Sequence, residues 1–369
     1  MLIFSAMMVL LLLLLAIGFP VAVSMGLTSV ATLGVLRGID AIPWDILAQR
    51  IMYGVTNFTL LAIPFFILAG RLANEAQVTD RIFEFAKTLV GHFKGGLGHV
   101  NILGSMIFAG MSGSAVADAG GLGNMEIKAM VDEGYSLEFS TAVTAASATI
   151  GPIIPPSIPM VIYGAMAGVS IGALFMGGFI PGMLMGLGLM AVAYFKAKRN
   201  NYPREAVRPT AREFLDATVS AMGAIFMPLI ILGGIFGGIF TATEAAVVAT
   251  IYAFVMGMFV YQELRWEHLP QILYRGGLNT AMVLIIVGVA NLVGYIMAIE
   301  RIPLMVAELF LSITADKWVM MLLINVLLLL VGCFIDGASA LIIFTPVLMP
   351  LVNQLGIDPI YFGVVICVN

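Results

Sequence analysis

The run Gly110-Met111-Ser112-Gly113-Ser114-Ala115-Val116-Ala117-Asp118-Ala119-Gly120-Gly121-Leu122-Gly123 decides how the chain is read. It follows an uncharged apolar segment, residues 102–109, yet is itself too small, too flexible and too polar for an ordinary membrane helix. Asp118 follows Ser114 within about one helical turn. Broken backbone at membrane depth is tolerated only where it faces protein or a water-filled cavity. The stretch therefore predicts the tip of a re-entrant helical hairpin over about residues 100–132, built to bind a cation.

The rest of the composition supports a membrane setting. Of 369 residues, 61% are hydrophobic and 10% charged, against about 25% charged in a soluble domain. The chain reads as an all-α polytopic membrane protein. A net charge of −4 and the lack of a basic aromatic patch give no reason to expect nucleic acid. Cys333 and Cys367 lie in apolar runs and read as small core residues, not as a disulfide. The three histidines are scattered and form no zinc motif. Residues 1–36 carry no charge, so they lack the basic start of a signal peptide. They read as two short retained spans, broken near Gly18-Phe19-Pro20, where proline removes a backbone donor.

A crossing needs about 20 apolar residues. Residues 51–70 supply one, after a polar connection at 37–50 that contains Arg50. Residues 74–99 are amphipathic and charged and read as an interfacial arm. Residues 139–195 carry no charge and must hold at least two crossings. The first is interrupted at Gly151-Pro152-Ile153-Ile154-Pro155-Pro156-Ser157, where a continuous helix cannot persist. Residues 196–212 are the most basic segment, so the positive-inside rule makes that loop cytoplasmic. Further spans are expected at 217–240, 245–262 and 276–299. A second re-entrant pair is expected over about 318–352, bent around Asp336, and a further span begins at 359.

The halves repeat. A shift of 222 residues places Asn57 on Asn279, Gly110 on Gly332, Ser114 on Asp336 and Gly134 on Gly356. Five crossings separate the equivalent starts, an odd number, so the second half should be inverted. Inverted repeats with discontinuous helices are a secondary-transporter signature. The partner of Pro155-Pro156-Ser157 would fall past Asn369, so the chain is expected to lack the protein's C-terminal end. Counting back from the basic loop puts the N-terminus in the periplasm, the first hairpin opening from the cytoplasm and the second from the outer face. The expected division is scaffold at 1–50 and 213–275, transport domain at 51–168 and 276–369, and a connecting span with the basic loop at 169–212.

Each candidate residue has a plain reading beside a functional one. Ser112, Gly113 and Ser114 serve either close helix packing or cation ligation by hydroxyls and unwound carbonyls. Asp118 and Asp336 are acids costly to hold in a membrane; they either cap broken helices or shape cation sites. Gly151–Ser157, with Thr149 beside it, is either a kink or an unwound ligand-binding segment. Glu244, between Thr241 and Thr243 at a helix start, reads as a complement to the helix dipole. No histidine or lysine lies in either tip to activate a nucleophile, so an enzyme is not expected. No repeated ring of charge supports a channel filter.

Ser112-Gly-Ser-Ala-Val-Ala-Asp118, Gly151-Pro-Ile-Ile-Pro-Pro-Ser157, Gly238-Ile-Phe-Thr-Ala-Thr-Glu-Ala-Ala246 and Asp336-Gly-Ala-Ser-Ala340 together resemble the large permease subunit of tripartite ATP-independent periplasmic (TRAP) transporters. The resemblance implies an elevator-type importer in the bacterial inner membrane, driven by Na⁺ with no other cofactor. Its cargo would be a C4-dicarboxylate, sialic acid or a similar carboxylate. Its partners would be a small four-helix membrane subunit, a periplasmic substrate-binding protein and membrane lipid. By motif matching, Ser112, Gly113, Ser114 and Asp118 would form the first sodium site, with Thr149, Gly151 and Pro152 opposite. Asp336, Gly337 and Ser339 would form the second, and Pro155, Pro156 and Ser157 would touch substrate. The alternative is a stand-alone Na⁺/dicarboxylate symporter that needs no binding protein.

Overall fold

Apolar segments punctuated by glycine and proline leave the chain one way to satisfy its backbone in lipid, which is helix against helix. The structure, a computed structural model, describes residues 2–203, 209–333 and 335–369, and all regular elements among them are helical. Arg204, Glu205 and Arg208 of the basic segment, and Phe334 before the second tip, lie outside the described residues.

The first repeat runs α1 (Leu2–Ile17), α2 (Val21–Arg37), α3 (Trp44–Val55), α4 (Ala62–Glu75), α5 (Val78–Val90), α6 (Gly96–Ser112), α7 (Ala115–Gly121), α8 (Gly123–Asp132) and α9 (Leu137–Ala148). Then come α10 (Ile158–Ala167) and the long α11 (Ile171–Asn200). The second repeat runs α12 (Ala211–Phe236), α13 (Ala242–Val255), α14 (Leu269–Ile299), α15 (Ile302–Ile313), α16 (Lys317–Gly332), α17 (Gly337–Gln354) and α18 (Pro359–Val368). Six helical stretches among the described residues are long and apolar enough to cross a membrane, or seven if α15 and α16, bent by 118°, count as one.

The 222-residue shift carries element onto element. It places α5 on α15, α6 on α16, α7 with α8 on α17, and α9 on α18, each within a few residues at its ends. The inversion is visible where the equivalents cross. Gly54 of α3 lies against Gly288 and Asn291 of α14, a Cβ on it falling 2.8 Å from Asn291 Cβ. Farther along the chain, Arg71 of α4 lies against Gly276 of α14. As one strand of the pair runs forward, the other runs back, so the equivalent spans are antiparallel. The paired glycines let the two backbones approach at this crossing.

Several boundaries differ from expectation for local reasons. The span expected at 51–70 is two helices, because Asn57 accepts a hydrogen bond from Thr59 N–H (3.0 Å) and starts a new turn after α3. Residues 302–313 had no reading in the sequence, yet form α15, the second repeat's counterpart of arm α5. Both cysteines are unpaired, and Cys333 is exposed, not a core residue. Glu244 closes a reciprocal capping box: Thr241 N–H donates to its carboxylate (2.8 Å), and Glu244 N–H donates to Thr241 Oγ1 (3.3 Å).

Packing joins the repeats. Thr250 of α13 donates to the Phe65 carbonyl of α4 (2.8 Å). Arg81 of α5 donates to Ser220 of α12 (2.9 Å) and stacks over the Tyr261 ring at 4.1 Å. Tyr163 of α10 donates to the Pro359 carbonyl (2.6 Å) and packs against Phe362, pinning α10 to the second repeat. The base of α6 meets the basic segment: Gly95 N–H donates to the Pro203 carbonyl (3.2 Å) and Tyr135 to the same oxygen (2.9 Å). The first hairpin therefore opens on the same side as that segment.

Candidate functional site

The first tip forms because Gly113 ends α6 in the left-handed region, at φ +62°, and Ser114 restarts the chain as α7. Ser114 Oγ accepts from Ala117 N–H at 3.4 Å. Opposite the tip, residues 149–157 are unwound between α9 and α10, as the prolines require. Ser157 restarts that helix, accepting from Met160 N–H (3.2 Å) and donating to the Pro152 carbonyl.

The two unwound segments meet. Ile158 N–H donates to the Gly113 carbonyl at 3.4 Å. A Cβ on Gly113 would run into the Pro156 carbonyl and lie 3.3 Å from Ile158 N. A Cβ on Gly151 would lie 3.2 Å from the Ser114 carbonyl oxygen. Helix α4 closes the third side, where Gly70 gives Ser112 room; a Cβ there would be 3.2 Å from Ser112 Cα. Ser112, Gly113, Ser114, Gly151 and Pro156 are thus brought together. Ser112 is 2% exposed, and its hydroxyl has no hydrogen-bond partner among the described residues. A buried hydroxyl left open beside unwound carbonyls fits a hard cation, and that donor set can hold Na⁺.

Other expected members stand apart. Asp118 is buried but does not line the tip cavity; its polar neighbour is Ser105 of α6, farther from the tip. Thr149 is exposed and donates to the Ala146 carbonyl at 2.7 Å. Pro155 and Pro156 are buried, and Ser157 spends its hydroxyl within its own turn.

At the second tip Asp336 N-caps α17, accepting from Ser339 N–H at 3.1 Å. Asp336 and Gly337 are exposed, and among the described residues no atom lies within 4 Å of a Cβ placed on Gly337. Ser339 is fully buried with an unpartnered hydroxyl. The tip rests near α1, where Met8, Leu11, Ile335 and Ile343 share an apolar pocket.

Two cavities with polar side chains lie along α14, one at its crossing with α3 and one nearer its start, beside α4 and the first tip. One, of about 290 Å³, lies between Ser112, Ser114 and Ile158 on the tip side and Arg71, Asn74, Arg275 and Asn279 on the other. Arg71 Nε is buried there without a partner. The second, of about 840 Å³, holds Arg50, Tyr53, Asn57, Asn291 and Tyr295. Arg50 sits over the Tyr295 ring at 4.3 Å. Asn57 and Asn279 are repeat equivalents, so each cavity carries one member of that pair. In the sequence these asparagines stand out only as repeat markers, and the arginines only as the ends of spans and connections. An arginine or asparagine one turn from a crossing glycine was the signal to follow.

An inverted-repeat helical bundle with broken-helix tips around polar cavities defines a membrane transporter. Residues 8–369 match the family described as the tripartite ATP-independent periplasmic transporter, DctM component, and the chain belongs to it. It is 46% identical to the sialic acid TRAP transporter large permease protein SiaM of Vibrio cholerae, over 95% of this chain and 82% of that protein. It is 42% identical to the sialic acid TRAP transporter permease protein SiaT of Haemophilus influenzae, over 96% of this chain and 57% of that protein. It is 37% identical to the C4-dicarboxylate TRAP transporter large permease protein DctM of Pseudomonas aeruginosa, over 88% of this chain and 75% of that protein. Among solved structures, the YdaH transporter of Alcanivorax borkumensis shares the fold, with a TM-score of 0.61 at 16% identity over 97% of this chain and 86% of that one.

Proposed function

We propose that this TRAP large permease imports a small organic acid, coupled to Na⁺, with the cation bound at the first hairpin tip. One observation supports this reading above others: Ser112, with its open hydroxyl, and Arg71, with its open Nε, line the same cavity. A cation at the serine side and a carboxylate at the Arg71–Arg275 side would each satisfy groups that are otherwise buried at a cost. Arginine suits the second role because its planar fork matches a carboxylate. Sodium binding would fix the tip against residues 151–158 and so shape the cavity wall. The gradient then supplies the free energy, since sodium prefers the closed tip.

Cavities at two levels of α14, each lined by one of the repeat-equivalent asparagines, suit alternating access. In the elevator reading, the α6–α10 and α16–α18 bodies shift against α1, α2, α12 and α13. The relatives named for sialic acid and C4-dicarboxylates support a carboxylate cargo, and their family name supports a periplasmic binding protein and a small membrane subunit.

The test is reconstitution with the small subunit into liposomes and delivery of a radiolabelled organic acid by the binding protein. Uptake should need both an inward Na⁺ gradient and the binding protein. Uptake of the free acid at an equal rate without the binding protein would favour the stand-alone symporter. Uptake that ignores Na⁺ would refute the coupling.

A further inference from the structure

The repeat places a cavity at each of two levels of α14, and the reading above uses only the one beside the first tip. That cavity takes Arg275 and Asn279 from the start of α14; their 222-shifted equivalents, Tyr53 and Asn57, line the cavity at the α3–α14 crossing. Binding groups at a repeat interface come from both halves. The crossing cavity has its own arginine and no role so far.

Arg50 is the one charged side chain among the described residues that line this cavity of about 840 Å³. Its guanidinium carbon stands 4.3 Å from the centroid of the Tyr295 ring. Stacking uses the face of the guanidinium and leaves its N–H edge as a fork. Asn57 Oδ1 is taken by Thr59 N–H (3.0 Å), so that amide offers the cavity its Nδ2 donors. Asn291 lines the same space from α14. Between Asn291 and Tyr295 the wall is open: among the described residues no atom lies within 4 Å of a Cβ placed on Gly294.

An exposed arginine over a tyrosine would by itself be an interfacial anchor. Two amide side chains facing the same roomy space, with no acid among the lining residues, are what an anchor leaves unexplained. One cation with neutral donors around it suits an anion that brings its own oxygens, and a planar fork matches a carboxylate. We propose that Arg50, Asn57 and Asn291 form a second carboxylate site, a station that the organic acid occupies separately from Arg71 and Arg275. At about 1.5 Å per residue, Tyr295 stands roughly 30 Å from Arg275 along the unbroken α14 (Leu269–Ile299). One small acid therefore cannot touch both arginine sites at once, and passage means leaving one for the other. The inference rests on the organic-acid reading for its ligand, but not on sodium or on the tip serines.

The test is protection of a thiol placed in the cavity. Ala298→Cys, on the exposed wall one turn after Tyr295, is combined with Cys333→Ser and Cys367→Ala. The permease with its small subunit is held in phosphatidylcholine nanodiscs, where both faces are open, and maleimide labelling is followed by the intact mass of the permease. Sialic acid or succinate, titrated as potassium salts without sodium, should slow labelling about tenfold at ten times the midpoint concentration. Mannose and potassium chloride should not. Arg50→Gln should weaken the protection roughly 10- to 150-fold. Asn291→Ala should weaken it roughly 2- to 10-fold and decides the matter should Arg50→Gln misfold. Arg71→Ala should leave it unchanged. Labelling that neither acid slows would overturn the station, and so would protection that survives Arg50→Gln but falls with Arg71→Ala. Arg50-dependent protection in a protein whose uptake ignores sodium would overturn the coupling and leave the station standing; sodium-driven uptake without protection would do the reverse.

Discussion

Gly113→Ala tests the junction between the tip and the unwound segment. At φ +62° the new side chain sits in the left-handed region, which costs an L-residue about 1–2 kcal/mol. Its methyl would also press on the Pro156 carbonyl and on Ile158 N. Relief requires the tip to move off residues 156–158, which breaks the 3.4 Å bond from Ile158 N–H to the Gly113 carbonyl, a loss of about 1 kcal/mol. The sum is about 2–3 kcal/mol, taken directly from the preformed site, and corresponds to roughly 30- to 150-fold weaker sodium binding. Gly168→Ala is the control. That glycine caps α10 at φ +68° with nothing within 4 Å of its Cβ position. It carries the same backbone cost without the collision and away from the cavity. Half-saturating Na⁺ for uptake, and the thermal midpoint with and without Na⁺, are measured for both. Gly113→Ala should raise the half-saturating concentration, and Gly168→Ala should lower only the midpoint. Equal midpoint losses with unchanged sodium dependence in both would refute the tip–segment site.

Three further outcomes follow from the geometry. Arg71→Ala or Arg275→Ala should raise KM for the organic acid by roughly 10- to 150-fold through loss of a charged hydrogen bond of about 1.5–3 kcal/mol; uptake kinetics in proteoliposomes check this, with sodium half-saturation as the comparison. Thr241→Ala removes the cap on α13 and should cost about 1 kcal/mol of stability, read as a lower thermal midpoint, with transport per folded molecule retained. Gly54→Ala forces α3 from α14, because its Cβ would stand 2.8 Å from Asn291 Cβ and 2.9 Å from Gly288 Cα; it should destabilise the protein by about 1–3 kcal/mol, again read in the thermal midpoint.

Much of the fold was legible because membrane burial writes itself into composition and punctuation. Uncharged runs marked the spans, Gly18 and Pro20 marked the α1–α2 break, and the proline cluster marked the unwound segment. Helix α15 escaped because, with its proline and a single acid, Ile302–Ile313 looks like any apolar stretch beside a polar pair; only its repeat position beside α5 gives it meaning. The break before Asn57 escaped because one side-chain cap sets it. At the site, sequence spacing brought Ser112, Ser114 and Gly151 to the right neighbourhood but could not show which way Asp118 points. One turn of α7 carries it from the tip to the hairpin interior, where Glu126 waits eight residues on in α8. The arginines were legible only as charges near span ends, since the cavity they share is made by a crossing of two distant segments.

The most direct measurement is Na⁺-driven uptake by Ser112→Ala with Ser114→Ala, reconstituted with the small subunit and the binding protein. Sodium ligation at the first tip predicts that uptake loses its dependence on the gradient while the protein remains folded and inserted. Gradient-driven uptake equal to that of the unsubstituted protein, with the same half-saturating Na⁺, would contradict it.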